Sequence, residues 1–175
     1  MSNGVSGWEK ASVVATILQT VAVVASLWYI ADQEKQQTLF ARASNTKSLA
    51  DTSIQLTYQV AQDEKLAKLW LTSMQDYEAK GDAVFKDETE KFQFRNFVVA
   101  QMIFYENIYY QNKQGLLDPE VFCEWQRDLD EFIDSYRPYL KKKYWTPATG
   151  PLYYEEFRKH VDSEINNPQA PRQPC

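Results

Sequence analysis

The sequence predicts an all-α protein whose N-terminal transmembrane helix continues into a helical stalk and ends in a small helical bundle. Residues 11–31, "ASVVATILQTVAVVASLWYIA", form an uncharged run of 21 residues. Neither glycine nor proline occurs between Gly7 and Gly81, so nothing forces the first helix to end at the membrane. Beyond this stretch the apolar residues recur at helical spacing between capping residues, and no strand pattern occurs.

Residues 11–31 have the length and the flanking residues of a membrane span. At about 1.5 Å per residue the run is roughly 31 Å long, close to the ~30 Å hydrocarbon core of a bilayer. Amphipathic aromatic rings prefer the headgroup level, so Trp8, Trp28 and Tyr29 are predicted to be interfacial anchors. Membrane lipid is therefore the first expected partner.

A cleaved signal peptide and a soluble core helix are the two alternatives for this run. Lys10 supplies a short positive region, and Val23, Val24 and Ala25 are small enough for a cleavage site. The apolar run nevertheless continues to Ile30, which is unusual for a mature N-terminus. A retained anchor is the interpretation that we carry forward.

The flanking cations predict the orientation of the span. Lys10 precedes it, whereas Lys35, Arg42 and Lys47 follow it, and basic residues favour the cytoplasmic side. We therefore expect a membrane protein with a single span and a cytoplasmic C-terminal domain. Reduced thiols are expected for Cys123 and Cys175 in that compartment.

The charge balance argues against nucleic acid as a partner. The chain of 175 residues has a formal net charge of −5 and a sequence pI of about 5.0. Nucleic-acid-binding domains usually present a basic surface, which this composition does not favour. No nucleic-acid role is expected.

Capping residues mark the predicted ends of the helices. Asp63, Asp87 and Asp118 are predicted N-caps, Gly115 a helix stop, and Pro138 the restart of a short helix. The helix that contains residues 92–110 is apolar on nearly every face and is expected to be central. The predicted segments are a short N-terminal tail (1–10), the transmembrane helix (11–31), the stalk (32–62), the bundle (63–165) and a disordered tail (166–175).

Small and polar residues form a predicted packing seam on the transmembrane helix. Their 3-4-3-4 spacing places them on one face, while larger apolar residues fill most of the remaining surface. Small residues let another backbone approach, and a mid-span amide forms hydrogen bonds between helices. A glutamine tolerated on a lone helix is the alternative. The seam residues are Ser12, Ala15, Gln19, Ala22 and Ser26.

Two further candidate sites lie in the bundle. Glu106 is surrounded by aromatic residues and is expected to form a buried ion pair with Arg95 or Arg127 rather than to act as an acid or base. The run Lys141, Lys142 and Lys143 is a candidate headgroup contact. Its alternative is a helix end at which lysines complement the dipole.

Catalytic, metal and cofactor motifs do not emerge from the sequence. Di-iron bundles need Glu-x-x-His pairs, and the single histidine, His160, has no glutamate three residues before it. The context of His160 suggests an exposed amphipathic helix. Five glycines form no phosphate-binding loop. We therefore expect no catalytic residues, no metal, no cofactor and no enzymatic activity.

Four motifs carry a resemblance to a known group of proteins. The apolar helix ends in "LWYIADQEKQQT", followed by "DEKLAKLWL", then by "YYQNKQGLLDPEVFCEW", and the chain closes with "FRKHVDSEI". In this arrangement it resembles a broad group of uncharacterised bacterial membrane proteins with one span and a small helical domain. The resemblance implies a bacterial inner-membrane setting and carries no activity.

The function expected from these observations is binding. The favoured hypothesis is an accessory or scaffolding subunit that docks through its transmembrane helix on a larger membrane complex. The alternative is a self-assembling sensor or effector whose helical domain binds a small ligand. Other transmembrane helices are thus the expected protein partners, in a hetero-complex or in a homo-oligomer.

Overall fold

The protein is all-α over residues 7–167, which are the residues that a computed structural model describes. Within that range the side chains of residues 7, 9–11, 13, 69, 72–75 and 151 are outside the description. The predicted tails, 1–10 and 166–175, therefore fall mostly outside the described residues. The five α-helices are α1 (Gly7–Gln62), α2 (Glu64–Lys80), α3 (Glu88–Lys113), α4 (Pro119–Tyr139) and α5 (Glu155–Asn166).

The chain divides into two compact units, Met1–Ala43 and Ser44–Cys175. In the first unit every side chain from residue 14 to residue 40 is exposed. Among the described residues one helix, with a candidate span within Val14–Gln62, is long and apolar enough to cross a bilayer. Its most apolar 18-residue window has a mean hydropathy of 1.8 and is not buried. Length and composition thus agree with the predicted membrane-spanning helix.

The second unit is a helical bundle built around α3. Residues on several faces of α3 are buried, including Phe94, Val98, Met102 and Ile108, as the apolar pattern of this helix predicts. Tilted and edge-to-face aromatic pairs join it to its neighbours; the Phe94 and Tyr139 rings, for example, lie 4.8 Å apart. Most of the core is therefore aromatic.

The last part of α1 belongs to this core. Leu49 is 2% exposed, and Leu56 and Val60 pack against the same cluster of buried residues. The compact unit thus begins at Ser44, earlier than residue 63, where the caps start the bundle in the sequence. The helical spacing of apolar residues does not show whether that face of the helix packs against a core or is exposed to solvent.

Local capping chemistry fixes most helix ends. The Asp63 carboxylate accepts hydrogen bonds from the backbone N–H of Lys65 and Leu66, and Asp87 does the same for Thr89 and Glu90. Gly115 follows α3 with a φ of +69°, a conformation that favours glycine. These ends agree with the sequence prediction.

The expectation of a helix restart at Pro138 is wrong. Pro138 lies inside α4, which continues to Tyr139 and then into a π-helical turn, Leu140–Tyr144. The turn closes with a hydrogen bond from Trp145 N–H to Leu140 O at 2.7 Å. Because Tyr136, Tyr139 and Leu140 are all buried, packing against the core outweighs the loss of one backbone donor.

Candidate functional site

The predicted seam lies on an exposed part of α1. Its five residues are exposed, as is the apolar surface around them. Helical geometry aligns residues three and four positions apart, so the seam forms one continuous face. It consists of Ser12, Ala15, Gln19, Ala22 and Ser26.

Two hydroxyl groups on or beside the seam are satisfied within the helix. The Ser26 hydroxyl donates to the Ala22 carbonyl at 2.8 Å, and the Thr20 hydroxyl donates to the Thr16 carbonyl at 2.9 Å. Gln19 differs, because no hydrogen bond to its side chain occurs in the described part of the chain. Its amide, with two donor hydrogens and an acceptor oxygen, therefore needs a partner from outside the helix.

The three predicted interfacial anchors are well exposed. Trp8 and Trp28 are 88% and 73% exposed, and the Tyr29 hydroxyl accepts a hydrogen bond from the Gln33 amide at 3.0 Å. Twenty helical positions separate the two tryptophans, a rise of about 30 Å. This separation matches the thickness of a hydrocarbon core.

Glu106 contacts the backbone rather than a guanidinium. Its Oε1 accepts a hydrogen bond from the Tyr154 N–H at 2.6 Å, at the N-terminal end of α5. Among the described residues this is the hydrogen bond of Glu106, and no ion pair joins Glu106 to the expected partners Arg95 and Arg127. The carboxylate thus fixes the start of α5 on the central helix.

In the part of the chain that the structure describes, Lys143 is the one of the three lysines at residues 141–143 that forms an ion pair. Lys143 Nζ lies 3.0 Å from Asp82 Oδ2, and Lys91 Nζ lies 3.1 Å from the same oxygen. Tyr77 donates a hydrogen bond to the other carboxylate oxygen of Asp82 at 2.7 Å. Asp82 therefore ties α2, α3 and the π-helical turn together, while Lys141 and Lys142 stay exposed.

A cavity of about 250 Å³ opens between the helices of the bundle. Aromatic rings form much of its wall, Asp128 and Glu131 also line it, and the Tyr136 hydroxyl is buried without a hydrogen-bond partner in the described part of the chain. Burial raises the pKa of the Asp128 carboxyl. The aromatic residues of the wall are Trp70, Phe104, Tyr105, Trp125, Phe132 and Tyr136.

A second polar cluster joins α4 to α5. His160 Nε2 lies 2.6 Å from Asp130 Oδ1, and one ligand-type atom each from Asp130, His160 and Glu164 lie within 4.8 Å of one another. Asp130 and Glu164 are 5% and 7% exposed. The expectation that His160 occupies an exposed helix is therefore wrong, because its ring packs between α4 and the Tyr109 ring of α3.

Sequence patterns only partly predict the cavity and the cluster of Asp130, His160 and Glu164. His160 and Glu164 are four positions apart and therefore share a helix face, which is a usable hint. Asp130 is thirty positions away, and the cavity wall draws on residues from α1, α2, α3 and α4. Which residues meet across helices depends on packing that local spacing does not encode.

Cys123 is disulfide-bonded in the structure, contrary to the expected free thiol. It lies on α4 and is half-buried. Cys175 lies outside the described residues. Disulfides persist mainly in oxidising compartments, so this bond bears on the orientation of the domain.

Comparison of the chain with protein-family models, with curated proteins and with solved structures gives no match in any of the three. Function is therefore inferred from the residues themselves.

Proposed function

We propose that the protein is a non-catalytic, single-pass membrane protein that docks through α1 on a larger membrane complex as an accessory or scaffolding subunit. The occupant of the seam is a transmembrane helix of a different protein. The setting that we propose is a bacterial inner membrane with the helical domain in the cytoplasm.

The observation that carries this proposal is the side chain of Gln19. It lies near the middle of the apolar run 11–31, and the described residues provide no hydrogen bond to it. An amide without a partner in hydrocarbon is unfavourable, whereas a hydrogen bond to another helix is worth about 0.6–2 kcal/mol. The small side chains of Ala15 and Ala22 on the same face permit close approach of a second backbone.

The cytoplasmic orientation rests on the cations that flank the span. Lys35, Arg42 and Lys47 follow the apolar run, and Lys10 precedes it. The disulfide at Cys123 favours the opposite side of the membrane. The proposed orientation follows the lysines and the arginine, because basic residues act during membrane insertion, before a disulfide forms.

Replacement of Gln19 tests the proposal. We expect Gln19→Leu to weaken association with the partner by about 3- to 30-fold, the equivalent of 0.6–2 kcal/mol. Thr20→Val is the matched control, because the Thr20 hydroxyl is already satisfied by the Thr16 carbonyl. The readout is the amount of partner that copurifies from solubilised membranes. Equal recovery with Gln19→Leu and with Thr20→Val would contradict the proposal.

The cavity supports a second candidate function, a self-assembling sensor whose bundle binds a small ligand. Its aromatic wall and the acidic residues Asp128 and Glu131 suit an organic cation, since aromatic faces and carboxylates both attract positive charge. The buried Tyr136 hydroxyl offers a hydrogen bond to such a ligand.

Benzylamine and benzoate, which have the same ring and opposite charges, provide the test of this second function. Benzylamine should quench or shift the fluorescence of Trp70 and Trp125 in a saturable way, and benzoate should not. Asp128→Asn should weaken the benzylamine response, whereas the exposed Glu155→Gln, outside the cavity, should leave it unchanged. Equal responses to both probes would rule out a cation site.

A further inference from the structure

We propose that Asp130, His160 and Glu164 bind a divalent transition-metal ion, Zn²⁺ in the first instance, between α4 and α5. This site is independent of the membrane docking proposed above. It would make the second unit a metal-stabilised bundle.

The three side chains supply a suitable set of ligands. One imidazole nitrogen and two carboxylate oxygens are donors that Zn²⁺ accepts at about 2.0–2.2 Å, and catalytic or partly open zinc sites commonly use three protein ligands. The three donor atoms lie within 4.8 Å of one another, so small side-chain rotations bring them to one ion. His160 and Glu164, four positions apart on α5, face Asp130 on α4.

The three ligands are largely shielded from water. The Asp130 and Glu164 carboxylates are more than nine-tenths buried, and the His160 side chain is 17% exposed. Ligands attract an ion more strongly in such surroundings than in water, because the effective dielectric constant is lower.

Tyr109 provides the second, independent observation. Its side chain is 9% exposed, its ring centroid lies 5.5 Å from that of His160, and its hydroxyl is buried without a hydrogen-bond partner in the described part of the chain. A water molecule bound to the ion would give the hydroxyl a partner.

Aromatic rings of α3, α4 and α5 meet at Tyr109, next to His160. Tyr109 packs edge-to-face against Phe122 of α4 and Phe157 of α5. An apolar shell limits the access of water and strengthens the attraction between ligands and ion.

Zinc binding to the full-length, detergent-solubilised protein tests the proposal. After treatment with EDTA and exchange into metal-free buffer, native mass spectrometry with one equivalent of Zn²⁺ should show one ion per chain. Saturating Zn²⁺ should also raise the Tm, since an ion that binds only the folded state stabilises it. Mg²⁺, which prefers oxygen ligands and retains its waters, should do neither at the same concentration.

Three variants separate a metal site from a structural contact. His160→Gln and Glu164→Gln should each weaken Zn²⁺ binding by more than about 100-fold, because even outer-shell changes cost 10- to 100-fold. Glu155→Gln, an exposed carboxylate on the same helix, should bind Zn²⁺ like the native chain. Glu164→Gln keeps the Asp130–His160 hydrogen bond and so guards against simple unfolding. Failure of the native chain to bind Zn²⁺, or equal binding by all the variants, would overturn the proposal.

Discussion

The Glu106 carboxylate and the Tyr154 backbone N–H, 48 positions apart in the chain, are joined by a hydrogen bond of 2.6 Å. Tyr154 is the N-cap residue of α5, so the contact attaches the start of the last helix to the central helix. Lys113, also on the central helix, contacts the same tyrosine, because its ammonium group lies 4.7 Å from the centroid of the Tyr154 ring.

We expect Glu106→Ala to lower the free energy of unfolding by about 1.5–3 kcal/mol, the usual worth of a hydrogen bond to a charged group. Glu106→Gln keeps an acceptor oxygen and should cost less. Amide exchange at Tyr154, followed by NMR or mass spectrometry, should be faster in Glu106→Ala. If Glu106→Gln costs as much as Glu106→Ala while Tyr154 stays protected, an ion pair is the better explanation.

Asp82 should make the stability of the bundle depend on pH in the acid range. The Tyr77 hydrogen bond, followed by the nearby Lys143 and Lys91, lowers the pKa of the Asp82 carboxyl from 3.8 to about 2. A group whose pKa is lowered by folding stabilises the folded state above its unfolded pKa. This contribution, about 1 kcal/mol after solvent screening, should therefore be lost as the pH falls from about 4 to about 2.

The Asp82→Asn variant isolates this contribution. The difference in Tm between the native chain and Asp82→Asn should be largest above pH 4 and should shrink as the pH approaches 2. Asp76→Asn is the control, because the contact of Asp76 among the described residues is a surface pair with Lys80. A difference that stays constant with pH would show that Asp82 acts through packing alone.

The backbone at Gly81 predicts a substitution cost without any steric clash. Gly81 has a φ of +57° and a ψ of −140°, and a Cβ placed there meets nothing within 4 Å. Gly81→Ala should nevertheless destabilise the bundle by about 1–3 kcal/mol, because side chains disfavour this conformation. Gly150→Ala, where a Cβ makes ordinary contact with Trp145 at 3.7 Å, should cost much less. Chemical denaturation of both variants measures the two changes in the free energy of unfolding.

Much of the secondary structure was predictable because it depends on local chemistry. Asp63 and Asp87 cap their helices with short side-chain hydrogen bonds, and Gly115 adopts a positive φ, all within a few residues. Pro138 shows the limit, since burial of Tyr136 and Tyr139 carries α4 through it. The preference of proline for a helix end is a local effect, and here the packing of the core outweighs it.

The sites in the bundle were less predictable because they join distant segments. Polar neighbours of His160, such as Lys159 and Asp162, suggested an exposed helix, yet its ring lies against Asp130 and Tyr109. The expected partners of the Glu106 carboxylate were guanidinium groups of opposite charge, and the structure provides a backbone N–H instead. Charge alone did not indicate which groups the fold brings together.

The redox state of the cysteines tests the proposed orientation. If the domain is cytoplasmic, both cysteines should be reduced in the cell and should react with a maleimide after the membrane is permeabilised and the protein denatured, without reductant. An impermeant maleimide should not label them in intact spheroplasts. Labelling that requires prior reduction would place the domain on the oxidising side and agree with the disulfide at Cys123.

Native mass spectrometry of the protein, gently extracted from its own membrane, tests the central claim most directly. Docking through the Gln19 seam predicts a complex in which this 20.4 kDa chain is accompanied by a second polypeptide in a fixed ratio. A multiple of 20.4 kDa would instead favour the self-assembling sensor. A bare monomer would contradict the docking account, because it would leave the Gln19 amide without a partner in the membrane.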